Sequence, residues 1–376
     1  MLPGESGVIG HTGEAGVGKV EIIQLCETLG KGGLENVIRD IVLASDGSRF
    51  RQHVVCAREG GMTADYLASQ GVPIHVLTDD GNRPHQLRTL VREMTRQESP
   101  VLIHCHGLFS VSTEAILARL SGASGLVVHV HNLVPPLSPM QRIKKVVLGR
   151  MADTFIAVSR EVQTSLCSKN FSPIETVRNA TDISKWVFHE VPDKSALNLP
   201  PGAFVLGMIG RVVKRKGFDL FLDIIAGSET LYGVIVGEGE YGEAVSRKIR
   251  QMGLEQRVRC FPFDTELQKY YAMLDALFLH STHEGLPLVL LESQAVGVPY
   301  LGNAVGGVGE VVMDGENGYL LHRDDLPLIC DRIEDIRKNS KALRFKCRER
   351  IEAGFGLPGQ VQAIEEIYRN CLRRRE

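Results

Sequence analysis

Two glutamates stand eight residues apart in the stretch His280 to Asn303, HSTHEGLPLVLLESQAVGVPYLGN. Glu284 falls in a turn-like segment after the apolar run Ala276 to Leu279, and Glu292 falls inside an apolar-periodic segment. The periodicity predicts a helix that starts near Pro287, with the proline at the first helical position, where a missing amide costs nothing. Gly285 keeps the backbone bare just before that start. Free amides and the positive end of the helix dipole hold anions, so a phosphate-bearing ligand fits there with a carboxylate on each side. The same letters also fit a βα turn carrying two solvated glutamates.

A second cluster is cationic. In GRVVKRKGFDLFLDII, Arg211, Lys214, Arg215 and Lys216 crowd into six residues between the strand-like FVLGMIG and an amphipathic helix pattern. Arginine can grip phosphate oxygens bidentately and lysine adds a point charge. The chain carries a formal net charge of only −2, so this is a local anion site and no global field for nucleic acid is present. Histidines supply a third pattern. His104 with His106 and His129 with His131 close the runs VLIHCH and GLVVHVH, and strand alternation puts each pair on one face near the carboxyl ends. Histidine is a common metal ligand, yet no carboxylate or second cysteine stands at ligand spacing. We expect a polar rim with some hydrogen-bonded core histidines, and no metal.

The elements that must position these groups alternate strand and helix. Strand-like runs occur at VEIIQL (20 to 25), HVVCA (53 to 57), PIHVL (73 to 77), VLIHCH (101 to 106), GLVVHVH (125 to 131) and TFIAVS (154 to 159), with helix-like segments between most of them. Near-continuous apolar strands separated by helices predict a parallel sheet covered on both faces. A proline-bearing polar stretch follows, and a second α/β pattern begins at FVLGMIG. The organisation expected is a flexible extension at 1–19, a Rossmann-like domain at 20–186, a linker at 187–201, a second Rossmann-like domain at 202–355, and a terminal helix at 356–376. Two doubly wound sheets then face one cleft. Two lookalike motifs are set aside. Gly13 to Lys19 spells G-x-x-x-x-G-K, but Val20 replaces the magnesium-binding hydroxyl and a strand follows where a helix is required. Gly237, Gly239 and Gly242 fit G-x-G-x-x-G, but Glu238 and Glu240 would set negative charge beside a pyrophosphate.

At 376 residues the chain exceeds one ordinary hydrophobic core, and 43% hydrophobic with 23% charged residues is usual for a globular protein. Its eight cysteines include no C-x-x-C pair, which fits reduced thiols in a cytosol. No apolar run of about 18 residues and no leader-like N-terminus occurs, so a cytoplasmic protein is expected.

The second half resembles the retaining glycosyltransferases of the GT-B fold, family 4. GRVVKRKGFDLFL is similar to that family's G-R-x-x-x-x-K-G segment, GVIVGEGEYGE to its V-G-x-G turn, and HEGLPLVLLESQAVGVPYL to its E-G-x-P-x7-E core. In the first half LGKGGLENVIRDI resembles the G-G-x-E loop and helix, VVHVHN the strand ending in an active-site histidine, and RNATDISKW the N-G-V-D turn. The resemblance implies a nucleotide-sugar donor, with UDP chosen as the nucleotide, held by the second domain. It implies a saccharide or lipid-linked acceptor held by the first, and transfer with retention in cell-envelope polysaccharide or glycolipid synthesis. By position, Arg211 and Lys216 would grip the diphosphate, Glu292 the ribose hydroxyls and Glu284 the transferred sugar. Gly285, Leu286 and Leu288 would complete the donor side, His131 would sit at the reacting sugar, amides near Gly33 would approach the diphosphate from across the cleft, and His106 would face the acceptor. No D-x-D metal motif occurs, so fixed cations replace a divalent ion and no cofactor is expected. A nucleotide-sugar epimerase of the same fold is the alternative. QLRTLVREMTRQ (86 to 97) and MQRIKKVVLGR (140 to 150) pair cations with apolar residues at helical spacing. They fit either peripheral contact with the inner membrane face or a solvated basic face.

Overall fold

The computed structural model of the protein describes residues 19–78, 82–96, 99–166, 173–322 and 326–373. The expected extension, all but Lys19, and the last two arginines of the tail lie outside the described residues. The first sheet is built from β1 (Val20–Thr28), β2 (Phe50–Glu59), β3 (Ile74–Val76), β4 (Val101–His106), β5 (Gly125–Val130), β6 (Thr154–Ala157) and β7 (Ile174–Thr176). Its spatial order is β3-β2-β1-β4-β5-β6-β7, and each pairing is parallel. The second sheet holds β8 (Phe204–Ile209), β9 (Leu231–Val236), β10 (Val258–Phe261), β11 (Ala276–Leu279), β12 (Tyr300–Asn303) and β13 (Gly318–Leu321) in the order β10-β9-β8-β11-β12-β13, again parallel. Both orders reverse direction once, at β1/β4 and at β8/β11. A crevice opens at such a switch point beyond the carboxyl ends of the strands.

Apolar composition explains the layering. Every residue of β4, β5, β6 and β8 is buried, because helices cover both faces of each sheet. Three strands, β7, β12 and β13, are not singled out by the sequence patterns. Each is three or four residues long, and β12 and β13 contain Gly302 and Gly318, so their apolar runs are too short to show a period. Pro287 also departs from expectation. It caps the helix Leu288–Val296 in an extended conformation (φ −71°, ψ 128°) and so lies just before the first turn. The rigid proline ring keeps the residue extended there as readily as it starts a helix.

The end of the chain returns to the first sheet. After the long helix Leu326–Gly354, Thr181 exchanges backbone hydrogen bonds with Phe355 and Leu357, each 3.0 Å. That clamp aims the helix Leu357–Arg373 under β1, β2 and β5, where Tyr368 packs edge-on against Phe50 at 5.6 Å between centroids. A polar contact adds to it, since Glu365 accepts from the Asp46 amide at 2.7 Å.

Candidate active site

The carboxyl end of β8 leads into a loop whose shape is set by its neighbour. A Cβ on Gly237 would overlap the carbonyl oxygen of Gly210, and one on Gly239 that of Val212, so the glycine turn after β9 serves close packing of the cationic loop. Tyr241 N–H donates to the Val212 carbonyl at 3.0 Å and completes that support. From this loop Arg211 stands exposed, with no hydrogen bond or ion pair among the described residues. Lys216 closes a single 3-10 turn, Lys214–Lys216, and turns inward, its side chain only 12% exposed. Burial, with Arg215 and Arg211 nearby, pushes the Lys216 ammonium below the usual lysine range, opposed by Glu284. A buried cation held this way gains from an incoming anion. Of the other two cations, Lys214 is exposed and Arg215 donates to the His283 carbonyl at 2.8 Å, fixing the turn that carries Glu284.

Glu284 follows β11 and is buried, with Oε1 3.8 Å from Lys216 Nζ and, among the described residues, accepting no hydrogen bond at that atom. The next residue brings the two lobes into contact. A Cβ on Gly285 would overlap the carbonyl oxygen of His131 just after β5, so only a bare backbone lets Glu284 and His131 come together across the crevice. Asn179 of the first lobe donates to the Leu286 carbonyl at 2.8 Å and holds that approach. The side chains of Leu286 and Leu288 are buried in the apolar core, so the main chain is what they offer a ligand. About one turn into the helix Leu288–Val296, Glu292 is buried and accepts from the Tyr271 hydroxyl at 2.7 Å. Burial raises its carboxyl to about 7, with Tyr271 opposing, Asp40 adding to the rise, and Arg39 and Lys185 opposing.

The first lobe supplies the opposite wall. Gly33 opens the helix Gly33–Ala44, and a Cβ on its neighbour Gly32 would lie 3.5 Å from the Arg211 guanidinium, so this loop meets the cationic loop across the crevice. Lys31 adds an ion pair to Glu238 at 3.9 Å and a cation–π contact with Phe263 at 4.7 Å. His131 shares a 3.0 Å hydrogen bond with His106 through Nε2 and Nδ1. Burial drives His131 down to about 3, and burial together with His104 and His131 drives His106 well below the usual imidazole range, so both are neutral at pH 7. The two rings line a cavity of about 230 Å³ with Leu34, Phe109 and Asn132. Farther out, Glu310 of the second lobe accepts from the Arg160 amide and from Arg178 Nε, both at 2.6 Å.

A family model described as Glycosyl transferases group 1 matches residues 192–353, and one described as Glycosyltransferase Family 4 matches residues 31–185. Together they take in the whole second sheet and β2 to β7 of the first. The chain belongs to the group 1 glycosyltransferases. The lipopolysaccharide core biosynthesis glycosyltransferase LpsE of Rhizobium meliloti is 30% identical over 48% of this chain and 53% of its own, so the chain spans about half the length of that relative. A UDP-Gal:alpha-D-GlcNAc-diphosphoundecaprenol alpha-1,3-galactosyltransferase of Escherichia coli is 22% identical over 93% of this chain and 96% of its own. Among solved structures, the Anabaena protein Alr3699/HepE in complex with UDP-glucose is 23% identical, covers 93% of this chain and 99% of its own, and superposes with a TM-score of 0.80. The shared architecture is the expected GT-B fold.

Within this glycosyltransferase the residues singled out by spacing fall into one crevice. Arg211, Lys216, Glu284 and Glu292 line the second-lobe side, and Gly33, His106 and His131 the first-lobe side. Sequence patterns missed Tyr271 and Tyr368, which come from distant parts of the chain and carry no spacing signal, while Asn179 stood in the quoted segment RNATDISKW without an assigned role. Gln24 left a trace, since it is the one polar residue interior to the run VEIIQL after Glu21.

Proposed function

We propose that this glycosyltransferase moves a sugar from a UDP-sugar to a saccharide or lipid-linked acceptor, retains the anomeric configuration, and needs no divalent metal. The observation that carries the reading is the set of polar groups at the crevice that are unpaired or, like Lys216 at 3.8 Å from Glu284, paired only at long range. Arg211 and the buried Lys216 ammonium ask for an anion of diphosphate size. Glu284 Oε1 and His131 Nδ1 are buried acceptors without donors, and sugar hydroxyls are donors. Glu292, one face of the helix farther in, suits ribose hydroxyls. Negative charge that grows on the leaving diphosphate then meets fixed cations instead of an ion, each contributing about 2.7–4 kcal/mol to lowering the barrier. Glu284, tied to Lys216, positions the sugar and favours its cation-like state. UDP-glucose in the Anabaena complex and the undecaprenol-linked substrate named for the Escherichia coli relative support the choice of donor and acceptor.

Membrane contact belongs to the same proposal. The helix Pro139–Met151 starts at a capping box in which Ser138 and Gln141 satisfy each other's amides at 3.3 and 3.0 Å. It exposes Met140, Ile143, Val146 and Val147 beside Arg142 and Arg150, an apolar and basic face suited to anionic lipid on the cytoplasmic side. Among the described residues no helix is long and apolar enough to cross a membrane. The deciding experiment screens nucleotide sugars by thermal shift, then follows transfer to an isoprenoid-linked acceptor with the product anomer read by NMR. Stabilisation by purine but not uridine donors, or an inverted product, overturns the reading.

A further inference from the structure

Behind His131 the four histidines form one stack. Ring centroids lie 4.3 Å apart for His104 and His106, 4.1 Å for His129 and His131, 5.2 Å for His104 and His129 and 5.3 Å for His106 and His131. Ligating nitrogens of His104, His106 and His129 come within 4.8 Å of one another. The rings stack, however, and do not converge on a point. Facing nitrogens are joined directly, His104 Nε2 to His129 Nδ1 at 3.2 Å and His106 Nδ1 to His131 Nε2 at 3.0 Å.

The two joined pairs meet at one glutamine. Gln24 Oε1 lies 2.7 Å from His106 Nε2, while Gln24 Nε2 donates to Gln52 Oε1 at 2.9 Å and to the Tyr368 hydroxyl at 3.2 Å. Tyr368 Oη in turn lies 2.6 Å from His104 Nδ1. Because an amide oxygen only accepts, His106 must donate from Nε2 and so accepts at Nδ1 from His131 Nε2–H. Tyr368 accepts from Gln24, and among the described residues His104 Nδ1 is the one acceptor within reach of its proton, so Tyr368 donates there and His104 donates from Nε2 to His129 Nδ1. The amide and the phenol together therefore fix all four protons on Nε2. Two atoms end the relay without partners among the described residues, His129 Nε2 and His131 Nδ1.

We infer that Gln24 and Tyr368 are positioning residues that lock the four imidazoles in one shared neutral tautomer, so that His131, whose ring lines the crevice cavity, keeps Nδ1 unprotonated and hydrogen-bond-accepting. The inference rests on the proposed sugar site only for what that nitrogen accepts, a hydroxyl of donor or acceptor. Low dielectric and burial keep the rings uncharged, and burial keeps the Tyr368 phenol protonated. Turning the Gln24 amide over would reverse the His106 and His131 bonds and make His131 Nδ1 a donor, so a glutamine on β1 controls a ring at the crevice, and Tyr368 on the last helix helps to hold that amide by accepting from its nitrogen.

Nitrogen-15 NMR of the full chain labelled at histidine reads tautomers without substrate. The expected spectrum at pH 7 shows these four rings neutral with the proton on Nε2. In Tyr368→Phe, which keeps the ring on Phe50 but removes both bonds, the four signals should shift toward a mixture of tautomers. Its kcat should fall about tenfold, the weight of one buried hydrogen bond, with the donor KM within about twofold. In Gln24→Glu both side-chain oxygens accept, so Tyr368 donates to the carboxylate and His104 and His129 should switch to Nδ1–H while His106 and His131 stay on Nε2. Any of the four rings charged or on Nδ1 in the parent protein, or a Gln24→Glu spectrum identical to it, overturns the inference. If the tautomers are as stated and no transferase activity is found, only the proposed function fails.

Discussion

Replacing Glu292 by Gln should stabilise the protein, and only above a defined pH. The buried carboxyl is raised from an ordinary 4.5 to about 7, chiefly by desolvation. Below about pH 4.5 both folded and unfolded chains carry it protonated, and it costs nothing. As pH rises toward 7 the unfolded carboxyl ionises while the folded one keeps its proton, so stability is lost through that window. At about 1.36 kcal/mol per pH unit the loss levels off near 3 kcal/mol above pH 7. Glutamine is neutral at every pH, and its oxygen still accepts from Tyr271. With an unfolding entropy of about 2.1 cal/mol/K per residue, the variant should melt about 4 °C above the parent at pH 8 and level with it at pH 4.5. Differential scanning fluorimetry across that range measures the difference. A pH-independent difference, or a parent that melts higher at pH 8, would refute the assignment of a desolvated carboxyl to this helix.

Other substitutions separate the remaining parts of the site. Arg211→Ala should lower turnover roughly a hundredfold with an unchanged melting temperature, since the side chain is exposed and unpaired; turnover near the parent's would remove its assigned role. Gly285→Ala forces a methyl group into the His131 carbonyl and should cost about 1–3 kcal/mol of stability along with a loss of kcat. Unchanged kcat and melting temperature would show that the lobes need not approach there. Transfer should continue in the presence of a chelator, and incubation with donor alone should yield no isomerised sugar, an outcome that separates a transferase from an epimerase by product analysis.

The fold was legible because its strands are long apolar runs at regular intervals, and a parallel sheet buried on both faces leaves that mark in the letters. The short strands β7, β12 and β13 left none, because Glu175, Gly302 and Gly318 break up their few apolar residues, whereas the equally short β6 and β11 lie in nearly unbroken apolar runs. Within the site, Glu284, Gly285 and Glu292 could be found because one turn and one helix carry them at fixed spacing. Lys216 could be found as part of a cluster, but the cluster divided. Arg211 and Lys214 face solvent, Arg215 braces a carbonyl, and Lys216 alone of the four turns inward, at the end of a 3-10 turn whose direction composition does not encode. The coupling of Tyr368 to His104 spans 264 residues, and no local pattern reports a contact made by tertiary packing alone.

The same carboxyl that weakens the fold should strengthen donor binding, with the opposite dependence on pH. Ribose hydroxyls in the proposed site donate to Glu292, and a donated hydrogen bond favours the ionised form. Below pH 7 the carboxyl holds a proton in the empty site, so binding must expel it, and affinity should rise with pH until the group is already ionised. The charges around it are Asp40, which raises the carboxyl, and Arg39 and Lys185, which lower it, while the Tyr271 hydroxyl stays a donor because burial and Glu292 push it well above the usual phenol range. The first three lie on the other lobe, so closure of the crevice sets the charge balance at the moment of binding. Calorimetric titration with UDP at pH 6 in buffers of different ionisation enthalpy should report release of close to one proton, falling toward zero by pH 8 and absent in Glu292→Gln. Proton uptake at pH 6, or identical release in that variant, would place the nucleotide away from this carboxylate.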